Sequence, residues 1–198
     1  MTKAPAARTG KRHHHGNLKQ ALVKAGISLL AEGGLGTLSL RKCAARAGVS
    51  HAAPAHHFKG LKGLLTAIVA QGFETFTRYM IDARDQSADT PQAQLEGICQ
   101  GYIAFSREYE AVATLMFMKD RFYTSDPEFQ RTSSASYGVL AEACAPFRSG
   151  TMNEKHIETL VWSLVQGYVH LARSGMIDPS ETRFETILPK FELREIPQ

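Results

Sequence analysis

The sequence predicts an all-α fold, and three observations carry that expectation. Apolar residues recur at i, i+3 and i+4 over long stretches, as at Leu18, Ala21, Leu22, Ala25 and Leu29. Runs of alanine and leucine outnumber alternating β-branched stretches. Glycine, proline and short polar residues fall between the periodic segments, where helices stop and start. With 198 residues, 43% of them hydrophobic, the chain can bury a real core. No apolar stretch reaches the ~18 residues of a membrane span, and MTKAPAARTGKRHHHGN at the start lacks the apolar run of a secretory signal. No internal repeat of solenoid length is evident. Cys43, Cys99 and Cys144 are odd in number and far apart, which fits buried thiols in a reducing cytoplasm better than a disulfide framework.

Residues 17–31 form the first expected helix, with Asn17 placed to cap it and EGGLG (32–36) to end it. Ser39 caps a second helix over residues 40–47, whose inner face is Leu40, Cys43, Ala44 and Ala47. Gly48 closes it, Val49 plugs the turn, and Ser50 caps a short third helix. Pro54 falls near the first turn of that helix and Phe58 anchors its far end. Two short helices around a three-residue glycine turn make the helix-turn-helix pattern, whose second helix enters the DNA major groove. Ala52, Ala53 and Ala55 keep that helix slim enough for a groove about 12 Å wide.

Residues 64–84 read as a long helix with Leu65, Ile68, Val69, Phe73, Phe76 and Met80 as its apolar positions. DQSADTPQ (85–92) turns the chain, and Pro91 stands near the start of the next helix. Residues 94–109 align Leu95, Ile98, Tyr102 and Phe105 on one stripe. LMFMKDRFY (115–123) is rich in methionine and aromatics, a cap follows at Asp126-Pro127, and FRSGTMN (147–153) punctuates again. In residues 154–174, Ile157, Leu160, Val161, Leu164, Tyr168 and Leu171 share one side. Trp162, Val165 and Val169 fall on another, so this helix needs its own core and a second covering, internal or from another chain.

Charge is divided unevenly. Residues 1–65 carry 11 Lys or Arg and a single acid, Glu32, for a net +10, while the remainder sums to −6. A basic third on an acidic remainder points to a polyanion bound at one end. LRKCAARAGVSHAAPAHHF (40–58) lies in the basic part. His51 and His56 fall on the outer part of the third helix, able to meet phosphates or base edges, and His57 beside Phe58 is placed to pack or hydrogen-bond at its end. A metal site is disfavoured, because His51 and His56 are five apart and no carboxylate or cysteine has ligand spacing. No nucleophile with a neighbouring base, phosphate loop or cofactor motif is apparent, so a helical enzyme built on His156 or His170 lacks support. The stretch reads as a binding surface.

Residues 17–65, NLKQALVKAGISLLAEGGLGTLSLRKCAARAGVSHAAPAHHFKGLKGLL, resemble the DNA-binding domain of TetR-family transcriptional regulators. The similarity rests on the first-helix run, the small-residue loop, the A-A-R-A-G-V-S turn and the closing H-F…L-L, and extends upstream through HHGNL. WSLVQGYVHLARSG (162–175) is similar to a W-x-x-x-H-G signature in one subgroup, with Gln166 in place of the histidine. Ala55 stands where the family usually has an aromatic and Leu61 where it has a lysine, both phosphate-contacting positions in the family.

The resemblance implies a flexible basic arm (1–13), a helix-turn-helix domain (14–64) and an effector-binding and dimerisation domain (65–198). It implies a homodimer on a near-palindromic double-stranded operator and a repressor released by a small-molecule effector; a DNA-binding protein without a regulatory role is the alternative. Ser39 and Arg41 would hold phosphates, and Ser50, His51, Ala52, Ala53, His56 and His57 would form or support the reading surface. Lys59 and Lys62 would compensate for Leu61 from the next helix start, and Lys11 and Arg12 would reach a neighbouring groove. Tyr102, Phe105, Met116, Phe117, Met118, Phe122, Tyr137, Trp162 and Gln166 are the expected effector pocket, with Glu142 and His170 as polar lining. Trp162, Val165, Val169 and Ile187, on helices over residues 153–174 and 181–188, are the expected dimer interface.

Overall fold

The computed structural model describes residues 11–148 and 154–193, except the side chains of residues 11–17 and 154. Among these, helices dominate. α1 runs Lys11–Thr37 with a break at Gly33 and Gly34, α2 is Leu40–Arg46, and a single 3-10 turn covers Ala53–His56. α3 (Gly60–Asp85), α4 (Pro91–Glu108), α5 (Glu110–Met116), α6 (Pro127–Cys144), α7 (Glu154–Arg173) and a one-turn α8 (Phe184–Ile187) follow. One pair of two-residue strands, β1 (Phe147–Arg148) and β2 (Glu192–Leu193), is antiparallel, with Phe147 opposite Leu193.

Asn17 does not cap the first helix. The backbone of α1 is already helical from Lys11, so Asn17 lies inside it. Gly16 alone is too weak a breaker to stop a helix that the flanking residues accept. The glycine stretch does end the regular helix: the Thr37 hydroxyl donates to the carbonyls of Leu29 and Gly34, both at 2.9 Å, and closes the loop. The Ser39 hydroxyl accepts from the Lys42 N–H at 3.2 Å, so the α2 cap is as expected. Thr90 and Asp126 cap α4 and α6 in the same way, each followed by proline at the first helical position.

Two apolar clusters fill the protein. The first joins α1, α2 and the start of α3 through Leu22, Leu30, Cys43, Phe58, Leu64 and Ile68, and continues into Phe105, Leu115, Met116 and Phe122. The N-terminal core and the larger domain are therefore one packed unit, joined along α3, which crosses the expected boundary at residues 64 and 65 without interruption. The second cluster holds Met80, Leu95, Ile98, Val139, Phe147, Ile157, Val161, Tyr168 and Phe184. α3 and α4 approach so closely that a Cβ on Gly101 would stand 2.3 Å from the Tyr79 carbonyl oxygen. Cys43, Cys99 and Cys144 are all buried and unpaired, and burial pushes the Cys144 thiol up to about 12.

The sequence gives no sign of the strand pair, since two residues carry no periodicity. Phe147 is the anchor: it is 1% exposed, and its ring centroid lies 5.6 Å from that of Phe191. The helix expected over residues 181–188 shrinks to the single turn of α8, whose Phe184 packs edge-on against Tyr168.

Candidate nucleic-acid interface and ligand cavity

From Gly33 to Phe73 the chain contains no acidic residue. The one acid of the basic third, Glu32, is engaged internally: Arg46 grips it with two hydrogen bonds of 2.5 and 2.6 Å and also donates to Ser28 at 2.7 Å. That guanidinium holds the Glu32 carboxyl down to about 2, so the pair stays ionised and pins the outer end of α2 to α1. Arg46 is thereby spent on architecture. Arg41, Lys42, Lys59 and Lys62 are exposed and form no ion pair among the described residues.

Gly48 turns the chain with φ +68°, a left-handed conformation that glycine adopts without strain. The segment after it differs from the expected third helix. Ala53, Ala55 and His57 donate to the carbonyls three residues earlier, at 3.0–3.2 Å, giving a tight 3-10 turn. Pro54 supplies no N–H there and is itself buried. Ser50 accepts through its backbone carbonyl rather than capping with its hydroxyl. Even so, Ser50, His51, Ala52, Ala55 and His56 are exposed, Ala53 and His57 are half-buried, and Phe58 is 6% exposed as the internal anchor. His57 packs toward Phe58 with ring centroids 6.4 Å apart. The side chains of Lys11 and Arg12 lie outside the described residues. Lys42, exposed beside Arg41, belongs to the same cationic surface and escaped the sequence reading. Its only signal was its place one turn after a capping serine.

A cavity of about 540 Å³ sits between α3, α4, α6 and α7. Tyr102, Phe105, Met116, Phe117, Tyr137 and Trp162 line it, as the sequence suggested. Phe122 does not: it is 2% exposed in the first core, 5.0 Å from the Phe129 ring. Met118, Glu142 and His170 are also outside the lining. Gln166 is behind the wall, where it accepts a hydrogen bond from the Tyr102 hydroxyl. Burial raises the Tyr102 phenol above its ordinary range, so it remains a neutral donor. Phe73, Phe76 and Met80 of α3 contribute a wall that was read as plain core. Their stripe looks the same in sequence whether it faces a side chain or a void.

Val165 also lines the cavity and is 3% exposed, so it faces inward rather than toward a second chain. Trp162 is 43% exposed, Ile187 38%, and Val169 half-buried. Leu171, expected on the inner side of α7, is 43% exposed and joins Trp162 and Met176 among the large apolar groups in contact with solvent.

The segment between α5 and α6 touches both regions. Phe117, Lys119 and Thr124 border the cavity, while the Tyr123 N–H donates to Thr66 Oγ1 at 3.0 Å. The Thr66 hydroxyl donates to the Lys62 carbonyl at 2.8 Å, and Lys62 Nζ lies 5.2 Å from the Tyr123 ring centroid.

Comparison with known proteins agrees with this arrangement. Residues 22–68 match the family model for bacterial regulatory proteins of the tetR family, and residues 95–189 match that for a tetracyclin repressor-like C-terminal domain. No curated protein matches the chain. Among solved structures, a protein with unknown function from Rhodococcus sp. RHA1 superposes with a TM-score of 0.74 at 24% identity, over 89% of this chain and 92% of that one. A TetR family transcription regulator from Marinobacter aquaeolei VT8 gives 0.66 at 17% identity, over 88% and 93%. The multidrug binding protein EbrR, complexed with imidazole, gives 0.58 at 18% identity, over 85% and 91%. With a helix-turn-helix head matched by one model and most of the helical remainder by the other, this chain belongs to the TetR family of DNA-binding transcription regulators.

Proposed function

We propose that the protein is a homodimeric repressor that leaves a near-palindromic operator when a small molecule fills the cavity of about 540 Å³. The observation that carries this reading is the α3 helix, whose first turns pack in the basic head and whose middle walls the cavity. Whatever displaces Phe73, Phe76 or the Phe117–Thr124 segment pulls on the same rod that holds Phe58 and Lys59. An effector need only bind the two head arrangements with different affinity, and a few kcal/mol of difference empties an operator. The cavity volume falls in the ordinary range for small-molecule sites. EbrR, of the same fold, is described as a multidrug binding protein, which supports a ligand role for this domain.

In this reading Arg41, Lys42, Lys59 and Lys62 hold phosphates, with Ser39 fixing the start of α2. Ser50, His51, Ala52, Ala53 and His56 face the groove, and Lys11 and Arg12 extend the contact from the start of α1. Leu61, exposed at 38%, leaves the familiar lysine contact to its two neighbours. The second copy joins through the outer face of α7 and α8, where Trp162, Leu171, Val169 and Ile187 lie in contact with solvent in the single chain. Two heads roughly 34–36 Å apart then meet two half-sites one helical turn apart. Acting on DNA, the protein works in the cytoplasm.

The test is selection of bound DNA from a random pool, followed by salt titration with the selected duplex and a scrambled one. Both complexes weaken with salt, and a regulator keeps a preference of about 10³-fold or more for its own site. Equal affinity for both duplexes at physiological salt, or a monomer at operator-binding concentration, rejects the proposal.

A further inference from the structure

Among the described residues that line the cavity Lys119 is the one charged group, and none of them is Asp, Glu or His. It is exposed and has no ion pair among the described residues, while its neighbours Asp120 and Arg121 pair with each other at 3.2 Å. Thr124, also exposed, borders the cavity from the same segment. Behind this rim the lining is largely apolar: Phe76, Met80, Ile98, Phe105 and Val161 close the interior. Tyr137, also in the lining, donates to Glu158. That carboxylate is already matched by Lys155 at 3.2 Å, so it offers nothing to a cationic ligand.

Resting on the effector reading of this cavity, we infer that its ligand is an amphipathic anion: an apolar body in the aromatic interior and one acidic head group, a carboxylate or its equivalent, at Lys119. A cation at the mouth of an apolar cavity is matched by a single negative head and by nothing else on the wall. At the ~30 Å³ that a water molecule occupies in the liquid, the cavity of about 540 Å³ has space for roughly 18 heavy atoms. The head stays at the rim, where water completes its solvation.

Dodecanoate and 1-dodecanol, which share one apolar chain and differ in head charge, are the probes. Binding is measured by calorimetry, with Trp162, the single tryptophan, reporting occupancy of the cavity by fluorescence. Lys119→Gln is expected to weaken dodecanoate about tenfold, the scale of one charge-assisted hydrogen bond, and to leave dodecanol within about twofold. The dodecanoate advantage shrinks as salt rises. If Lys119→Gln weakens both probes alike, or neither, the head-group assignment is wrong, and dodecanol binding that moves Trp162 leaves the effector reading standing. If neither probe binds and Trp162 fluorescence does not change, the inference is overturned. Operator release by structurally unrelated neutral compounds would then separate its failure from that of the effector reading.

Discussion

Thr66→Val is the most direct probe of the joint between the DNA head and the ligand domain. Thr66 is 3% exposed, accepts from the Tyr123 N–H at 3.0 Å and donates to the Lys62 carbonyl at 2.8 Å. Valine keeps the branched shape and removes both hydrogen bonds. The Lys62 carbonyl retains its bond within the α3 helix, so its loss is small. The Tyr123 N–H loses its partner at a half-exposed site, where water recovers part of the energy. The net cost is about 1–2 kcal/mol, within the range for a lost hydrogen bond that strands one donor. For a chain of this size that lowers the melting temperature by roughly 3–6 °C. Urea and thermal denaturation of native, Thr66→Val and Thr66→Ser proteins measure it, with serine keeping both bonds and recovering more than half the loss. If valine matches the native protein while serine is the less stable variant, the hydroxyl does not hold this joint and the methyl group does. A second readout is operator release: with the segment cut loose from α3, saturating ligand releases DNA less completely.

The remaining predictions test other parts of the molecule. Gly101→Ala places a methyl group 2.3 Å from the Tyr79 carbonyl and 2.6 Å from the Met80 Cα, both backbone atoms that cannot swing away, so denaturation should show a loss of at least ~1–3 kcal/mol. Arg46 depresses the Glu32 carboxyl to about 2, so this pair stabilises the fold above the ordinary carboxylate range and ceases to as pH falls from about 4.5 toward 2. Glu32→Gln should flatten the acid limb of the stability curve over that window while leaving its shape above pH 6 unchanged. Lys59→Ala should weaken binding to every duplex and reduce the salt slope by about one, whereas His56→Ala should lower preference for the selected site more than affinity for random DNA. Trp162→Arg combined with Leu171→Arg, both on the exposed face of α7, should give a folded monomer by sedimentation that no longer binds the full operator.

Much of this architecture was visible in the residues. The helical class, the caps at Ser39 and Asp126-Pro127, the helix start at Pro91 and the extent of α7 follow from periodicity and capping chemistry, which are local. The cationic head was legible for the same reason: charge on a short segment stays at the surface wherever the segment goes. The exceptions are instructive. Asn17 has a capping side chain, but the residues before it continue the helix. Residues 50–57 read as a third α-helix, yet Pro54 and the i−3 hydrogen bonds leave a single 3-10 turn.

The cavity was half legible. Aromatics and methionines marked its neighbourhood, and Tyr102, Phe105, Met116, Phe117, Tyr137 and Trp162 line the cavity. Phe122, in the same kind of sequence, went to the head core instead. Val165 and Leu171 exchanged roles, one inward and one outward, because the rotation of α7 about its axis depends on what α4 and α6 present to it. By itself, the sequence determined the helical class, several helix caps and the sign of charge at each end of the molecule, because backbone geometry, capping and solvation act over a few residues. Tertiary structure alone decided that Glu32 would occupy Arg46, that α3 would serve both head and cavity, and that Lys119 would stand at the cavity mouth. Those outcomes depend on distances between segments far apart in the chain, which only packing fixes.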